Sequence, residues 1–360
     1  MAIGFPVKAD YVTGDVLTAA NMNDLSGTLN TIQSVEYAAG KNKIINGDFG
    51  VWQRGTSFTN NSSGAYNSDR FKQFYDGSGA TRIVSQQTFT PGAAPAAPYE
   101  SQYFLRFNQS VAGTSGTFNT LTQPIEDVRT FAGNTVTLSY WAKAAATLSL
   151  TIEADQGFGS GGSSTVTTSV VSGQTITTSW VRYSHTFTLP SVSGKTIGTS
   201  SFVNLSFKLP VNTTFTFDTW GWQLEASSTA SDFQTATGTL QGELAACQRY
   251  YYRAQATANY TRWGIGQCTS STAAAGFVKF PITMRTSPTA LEQTGTASNY
   301  GLTTSTGSVN ALSTVPTFDS ASPDGSTVVF TVSSGLTAGN ATQFLPNGTT
   351  VPYLGWSAEL

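Results

Sequence analysis

Across residues 136–141, Val136, Leu138 and Tyr140 alternate with Thr137 and Ser139, and Trp141 falls on the opposite parity. A period of two predicts a half-buried strand. Residues 180–187 repeat the pattern, with Val181, Tyr183, His185 and Phe187 sharing one face. Such segments recur from about residue 43 to 236, separated by loops such as the Gly-rich stretch 157–163. Many strands without a strong intervening helix predict a β-sandwich. Leu240, Leu244, Cys247 and Tyr251 then fall at helical spacing, and a short connector over 237–253 is expected. Residues 254–360 return to strand patterns at 276–284, 326–332 and 353–360. At the other end, Met22, Leu25, Leu29 and Ile32 are spaced three, four, three, with Thr18 as N-cap. That seam predicts a short helix, marginal alone, which either packs on the next domain or self-associates. The expected fold is mainly β: an N-terminal anchor and helical stalk (1–42), a β-sandwich (43–236), the connector, and a second β domain (254–360).

Composition narrows the partners. Charged residues make up 11% of the 360, against roughly 25% in an ordinary domain. Thr, Ser, Asn, Gln and Gly carry the polarity instead. A formal net charge of −2 with no basic stripe argues against nucleic acid. A weakly charged surface rich in amides, hydroxyls and aromatic rings suits a neutral polyol better. No apolar run is long enough to span a membrane, and no signal peptide is expected. Cys247 and Cys268 read as small buried hydrophobes rather than a disulfide framework.

Two segments carry a resemblance. Residues 44–55 open Ile44-Ile45-Asn46-Gly47-Asp48-Phe49 and close Trp52-Gln53-Arg54-Gly55; residues 215–225 contain Asp218-Thr219-Trp220-Gly221-Trp222-Gln223. They resemble the opening and closing strands of a carbohydrate-binding-module-like (galactose-binding-like) jelly roll, in the version found in bacteriophage fibre and tail proteins. Residues 14–23, 67–71, 121–129, 246–251 and 280–288 resemble other parts of such appendages, in the same order. The resemblance implies a virion component assembled in the host cytoplasm. It implies a homotrimer joined through Met22, Leu25, Leu29 and Ile32, attached by its N-terminus to another virion protein. Its β domains would bind host-surface glycan or act as spacers. A tail-spike polysaccharide depolymerase and a bacterial or prophage adhesin are the alternatives.

The candidate chemistry is sparse. His185, the single histidine, would have to serve any Ser-His-Asp, Cys-His or zinc arrangement, and its strand parity predicts packing instead. Paired carboxylates could hydrolyse glycosides; Glu153 with Asp155 is the best pair, ahead of Glu126 with Asp127 and Asp218 with Glu225. No enzyme is expected. No cofactor is required, although the resemblance implies a possible structural calcium held by Asp48 and Asp218. For stacking on sugar faces, Trp141 is the first choice, being opposite the apolar face, followed by Trp52 and Trp222. Trp220 and Trp222 are expected to share a face.

Overall fold

The computed structural model describes residues 39–96, 99–255, 257–304, 306–348 and 352–360. The expected helix and seam at Met22, Leu25, Leu29 and Ile32 lie outside them. The chain is mainly β. Its first strands are β1 (Ser57–Thr59), β2 (Lys72–Tyr75), β3 (Thr81–Thr88), β4 (Tyr103–Val111), β5 (Asn119–Glu126) and β6 (Thr135–Ala144). They continue with β7 (Leu148–Gly157), β8 (Val166–Ile176), β9 (Val181–Thr188), β10 (Phe202–Lys208) and β11 (Phe215–Glu225). They form a six-stranded sheet, β1-β3-β4-β11-β6-β9, facing a five-stranded sheet, β2-β5-β10-β7-β8. Each sheet sends alternate apolar residues inward. Leu138, Tyr140, Phe107 and Trp222 from one meet Leu121, Ile152, Leu205 and Phe207 from the other in a single core.

One short helix follows, α1 (Leu240–Gln248), capped by Thr239 Oγ1, which accepts from Gly242 N at 3.0 Å. The helix forms over part of the expected spacing, with Tyr251 falling in the strand that follows, and the buried face matches it only at Cys247. Leu240 and Leu244 are exposed, while Glu243 and Cys247 are buried. Glu243 is buried for a reason: Oε2 accepts from Asn46 N at 2.8 Å and Oε1 from Thr237 N at 2.7 Å, so the helix clamps the start of the sandwich. Cys247 and Cys268 are both free and buried.

The distal strands are β12 (Tyr251–Gln255), β13 (Gly264–Cys268), β14 (Ala273–Lys279), β15 (Glu292–Gln293), β16 (Tyr300–Thr303) and β17 (Val309–Ala311). The last are β18 (Thr317–Ser322), β19 (Gly325–Thr331), β20 (Ala341–Pro346) and β21 (Tyr353–Ser357). A three-stranded sheet, β12-β21-β15, and a seven-stranded sheet, β17-β16-β20-β13-β14-β19-β18, pack around their own core, which includes Phe330, Phe344, Leu354 and Trp356. Where the two β units meet, the contact is polar. Arg70, 1% exposed, is ion-paired with Glu359 and stacks on Tyr250, its guanidinium 3.5 Å from the ring centroid. Burial opposes the charge of Arg70, but Glu359 beside it holds the guanidinium above its ordinary value. Arg54 stacks on Tyr251 at 3.5 Å and also pairs with Glu359 at 3.4 Å.

The segment expected to open the sandwich as a strand is instead a set of turns. Asn46 and Phe49 have φ of 60° and 56°. Asn46 turns its amide onto Val51 O at 2.9 Å and Asp69 O at 3.0 Å. The Asn46 side chain thus occupies backbone groups that a strand would leave to a ladder.

Candidate functional site

The five-stranded sheet has an outer face whose chemistry is regular; it is accessible along β7 and β8, whereas Thr122 on β5 (0% exposed) and Ser206 on β10 (7%) are buried. In β10, Val203, Leu205 and Phe207 point into the core, so Phe202, Asn204, Ser206 and Lys208 point out. The outward positions line up across strands. One row is Lys72, Thr122, Ser206, Glu153 and Ser169; the next is Pro124, Asn204, Asp155 and Thr167.

These side chains are hydrogen-bonded into one array. Thr122 Oγ1 donates to Asn204 Oδ1 at 2.5 Å, Asn204 Nδ2 donates to Ser206 Oγ at 3.0 Å, and Ser206 Oγ donates to Asp155 Oδ2 at 3.4 Å. From the far side Thr167 Oγ1 donates to Asp155 Oδ1 at 2.7 Å. Every donor in the series is oriented towards one carboxylate. Charge is otherwise balanced, because Glu153 Oε2 lies 2.5 Å from Lys208 Nζ. At the end of the face the half-buried Phe202 ring lies over Gly157, where a Cβ would sit 2.5 Å from the ring. Glycine is required there for the ring to lie flat. The face thus offers fixed hydroxyl, amide and carboxylate groups beside an aromatic ring.

The sequence singled out Glu153 and Asp155, and both stand on this face of β7. It missed Thr122, Asn204, Ser206, Thr167 and Phe202. The signal was present in the strict alternation of 202–208, whose outward set is polar except for one ring.

The tryptophans lie elsewhere, and here the expectation is corrected. Trp141 does point away from the main core, as its parity predicted, yet it is only 8% exposed. A second aromatic layer covers it, made of Phe89, Phe104, Trp220 and Phe233, with Tyr99 and Trp180 packed against them. Arg182 lies 4.6 Å over its ring. No ring face is left for a sugar. Trp222 is fully buried, stacked on Phe207 at 3.8 Å in the main core. Trp220 and Trp222 do not share a face, because β11 carries a bulge between Trp220 and Gln223. Gly221, with φ of +66°, takes up the extra residue. Trp52 is half-buried, stacked at 6.5 Å on Phe58, with Nε1 donating to Phe49 O at 2.7 Å.

Asp48 and Asp218 do not make a common oxygen cage. Arg106 grips Asp218 through two bonds of 2.7 and 2.8 Å, and Lys143 lies 3.7 Å away. Asp48 accepts from Tyr99 Oη at 2.8 Å and Gly50 N at 3.3 Å, and burial pushes its carboxyl up. These residues do not fit the expected calcium, since Ca²⁺ needs six or more free oxygen ligands. Among the described residues no group of three or more His, Cys, Asp or Glu could hold a metal ion.

The remaining carboxylate pairs are also engaged. Glu126 accepts from Arg249 at 3.0 Å and Tyr250 Oη at 2.7 Å, and Glu225 accepts from Ser231 N at 2.9 Å and Oγ at 2.8 Å. His185 is half-buried beside the Tyr140 ring at 6.1 Å, and burial alone lowers its pKa. Among the described residues it has no carboxylate or nucleophile as hydrogen-bond partner. No helix among the described residues is long and apolar enough to cross a membrane.

No family model and no curated protein matches the chain. Similar solved structures include a CBM4 structure, with 16% identity over 51% of this chain and 98% of that one and a TM-score of 0.31. Another is the CBM22-2 xylan-binding domain from Paenibacillus barcinonensis Xyn10C, at 17% identity over 45% and 94%, TM-score 0.30. A third is the enzymatically active domain of bacteriophage CBA120 tailspike protein 4, at 13% identity over 52% of this chain but 22% of that one, TM-score 0.32. Identities and scores this low tie the chain to none of those proteins' ligands or activities.

Proposed function

We propose that the protein binds neutral glycan non-covalently on the outer face of the five-stranded sheet. The observation that carries this reading is the connected array from Thr122 through Asn204 and Ser206 to Asp155 and Thr167. Sugar hydroxyls both donate and accept, so they pair best with groups whose own orientation is already fixed. Phe202 supplies an apolar ring against which a sugar face can lie. The motif order resembling phage appendage proteins supports the finer reading: a trimeric virion component that gains avidity from several weak sites.

Hydrolysis is the competing reading, because Glu153 and Asp155 share the face about 7 Å apart along the strand. Glu153 is ion-paired with Lys208, which turns its carboxylate towards a cation rather than towards a substrate oxygen. The test is a glycan array and pull-down on insoluble polysaccharides. Asn204→Ala and Asp155→Asn are expected to lower binding by about tenfold or more while thermal melting stays near wild type. Polysaccharide cleavage lost in Asp155→Asn would instead establish the depolymerase. Binding unchanged in both variants would remove the face from consideration.

A further inference from the structure

We infer that the first sandwich carries a second, separate saccharide site in the cleft at one end of its sheets. The cleft has a volume of about 700 Å³ and is built by the end of β4, the β6–β7 turn and the β10–β11 loop. In a protein whose outward faces carry ion pairs, none of the residues lining this cleft is charged. Half-buried Phe215 lines it on the inner side of the six-stranded sheet, where it packs at 5.5 Å on Phe107 of the core and is thereby fixed.

The walls are preformed. Gln109, buried at the end of β4, donates from Nε2 to Val211 O and, at 2.8 Å, to Thr213 O. Asn212 bonds Gly116 in both directions, at 3.1 and 3.0 Å, and pins the same loop from its other side. At the rim, on the outer side of the same sheet, Thr216 Oγ1 donates to Asn108 Oδ1 at 3.3 Å, which leaves the Asn108 amide nitrogen for a ligand that reaches over the edge. The hydroxyls of Ser110, Thr147, Ser149, Thr213 and Thr214 line the cleft without a hydrogen bond to another described residue. A ring on the inner side, a fixed amide at the rim, free hydroxyls on the walls and no formal charge select a short neutral saccharide, such as the end of a glycan chain.

This site goes beyond the reading of the five-stranded face. Ser149 at the cleft and Asp155 at the centre of the face both lie on β7, six residues or roughly 20 Å apart. The two sites can therefore be disabled separately.

The experiment is saturation-transfer NMR on the full chain with lactose, maltose and cellobiose as probes, repeated for Asn108→Ala, Thr214→Tyr and Asn204→Ala. Thr214→Tyr fills the cleft from its loop side, and Asn108→Ala removes only the amide. Both should weaken binding of at least one probe by about tenfold, and a probe whose transfer falls only in Asn204→Ala is bound at the face rather than in the cleft. Thermal melting checks the fold; should Thr214→Tyr unfold, Asn108→Ala carries the test. Transfer that survives both cleft variants for every probe, transfer lost in Asn204→Ala alone for every probe, or no transfer from any probe overturns the cleft site. Polysaccharide binding in the pull-down that depends on Asn204 would still stand in each of those cases, so the two readings fail separately.

Discussion

The two sheets of the first sandwich share one core but have opposite exteriors. Outside the six-stranded sheet, Trp141, Trp220, Phe104 and Phe89 make a second apolar layer, closed by Phe233 and Tyr99 from segments with no strand of their own. Outside the five-stranded sheet, Thr122, Asn204, Ser206, Asp155 and Thr167 make a hydrogen-bonded array of polar groups, buried at Thr122 and Ser206 and accessible towards β7 and β8. Alternation specifies that a strand has two sides and not which of them meets water. Side-chain chemistry supplies the missing information. Rings on the outward parity need a cover, whereas hydroxyls and amides on it are best left for solvent or a ligand.

Substitutions at matched outward positions test this contrast. Trp220→Ala should empty the covering layer and destabilise the fold by about 3–5 kcal/mol, read by chemical denaturation. A change under ~1 kcal/mol would show the layer to be dispensable. The corner where the distal unit meets the sandwich is covered by charge rather than by rings. Glu359→Gln leaves Arg70 buried without its main partner and should cost about 3–5 kcal/mol.

Asp69, at the same corner, accepts from Gln53 N and Nε2, both at 2.6 Å. Burial pushes its carboxyl from 3.8 to about 6. The folded state therefore holds the proton more tightly than the unfolded chain. Stability from this group is complete below about pH 4 and is lost as pH rises through about 6. Wild type should lose about 2–3 kcal/mol relative to Asp69→Asn between those limits, measured as the difference in melting profiles. A pH-independent difference would contradict the raised value. The smallest effect on stability should come from the polar face: Asn204→Ala should change it by less than about 1 kcal/mol while lowering glycan binding. A stability loss as large as that of Trp220→Ala would mean that the two exteriors are not different in kind.

Much of this was legible in the residues. The strand patterns at 136–141, 180–187 and 215–225 correspond to β6, β9 and β11, and the outward parity of Trp141 is as its position in the alternation implies. What covers Trp141 was not legible. Phe89, Tyr99 and Phe233 come from stretches whose apolar residues follow neither period, so only tertiary packing reveals their role. The face array was readable in part, since the outward set of 202–208 is polar, but its partners on β5 and β7 depend on strand order, which alternation does not encode. The burial of Glu243 was invisible for a related reason: its partner is the Asn46 backbone, nearly two hundred residues away.

The bulge in β11 has a further consequence. Three residue steps on β11, from Trp220 to Gln223, oppose two on β6, from Trp141 to Ser139. The extra step turns the Trp222 amide out of the ladder and onto Gly47 O at 3.0 Å, while Asn42 Nδ2 reaches Trp222 O at 3.0 Å. A chain lacking Gly221 would keep its two indoles on opposite sides, because adjacent residues of a regular strand already point apart. It would lose the donor that captures the opening turn. The inserted glycine thus works as a latch rather than as a spacer between rings: one surplus residue in the closing strand ties it to a segment that crosses no sheet.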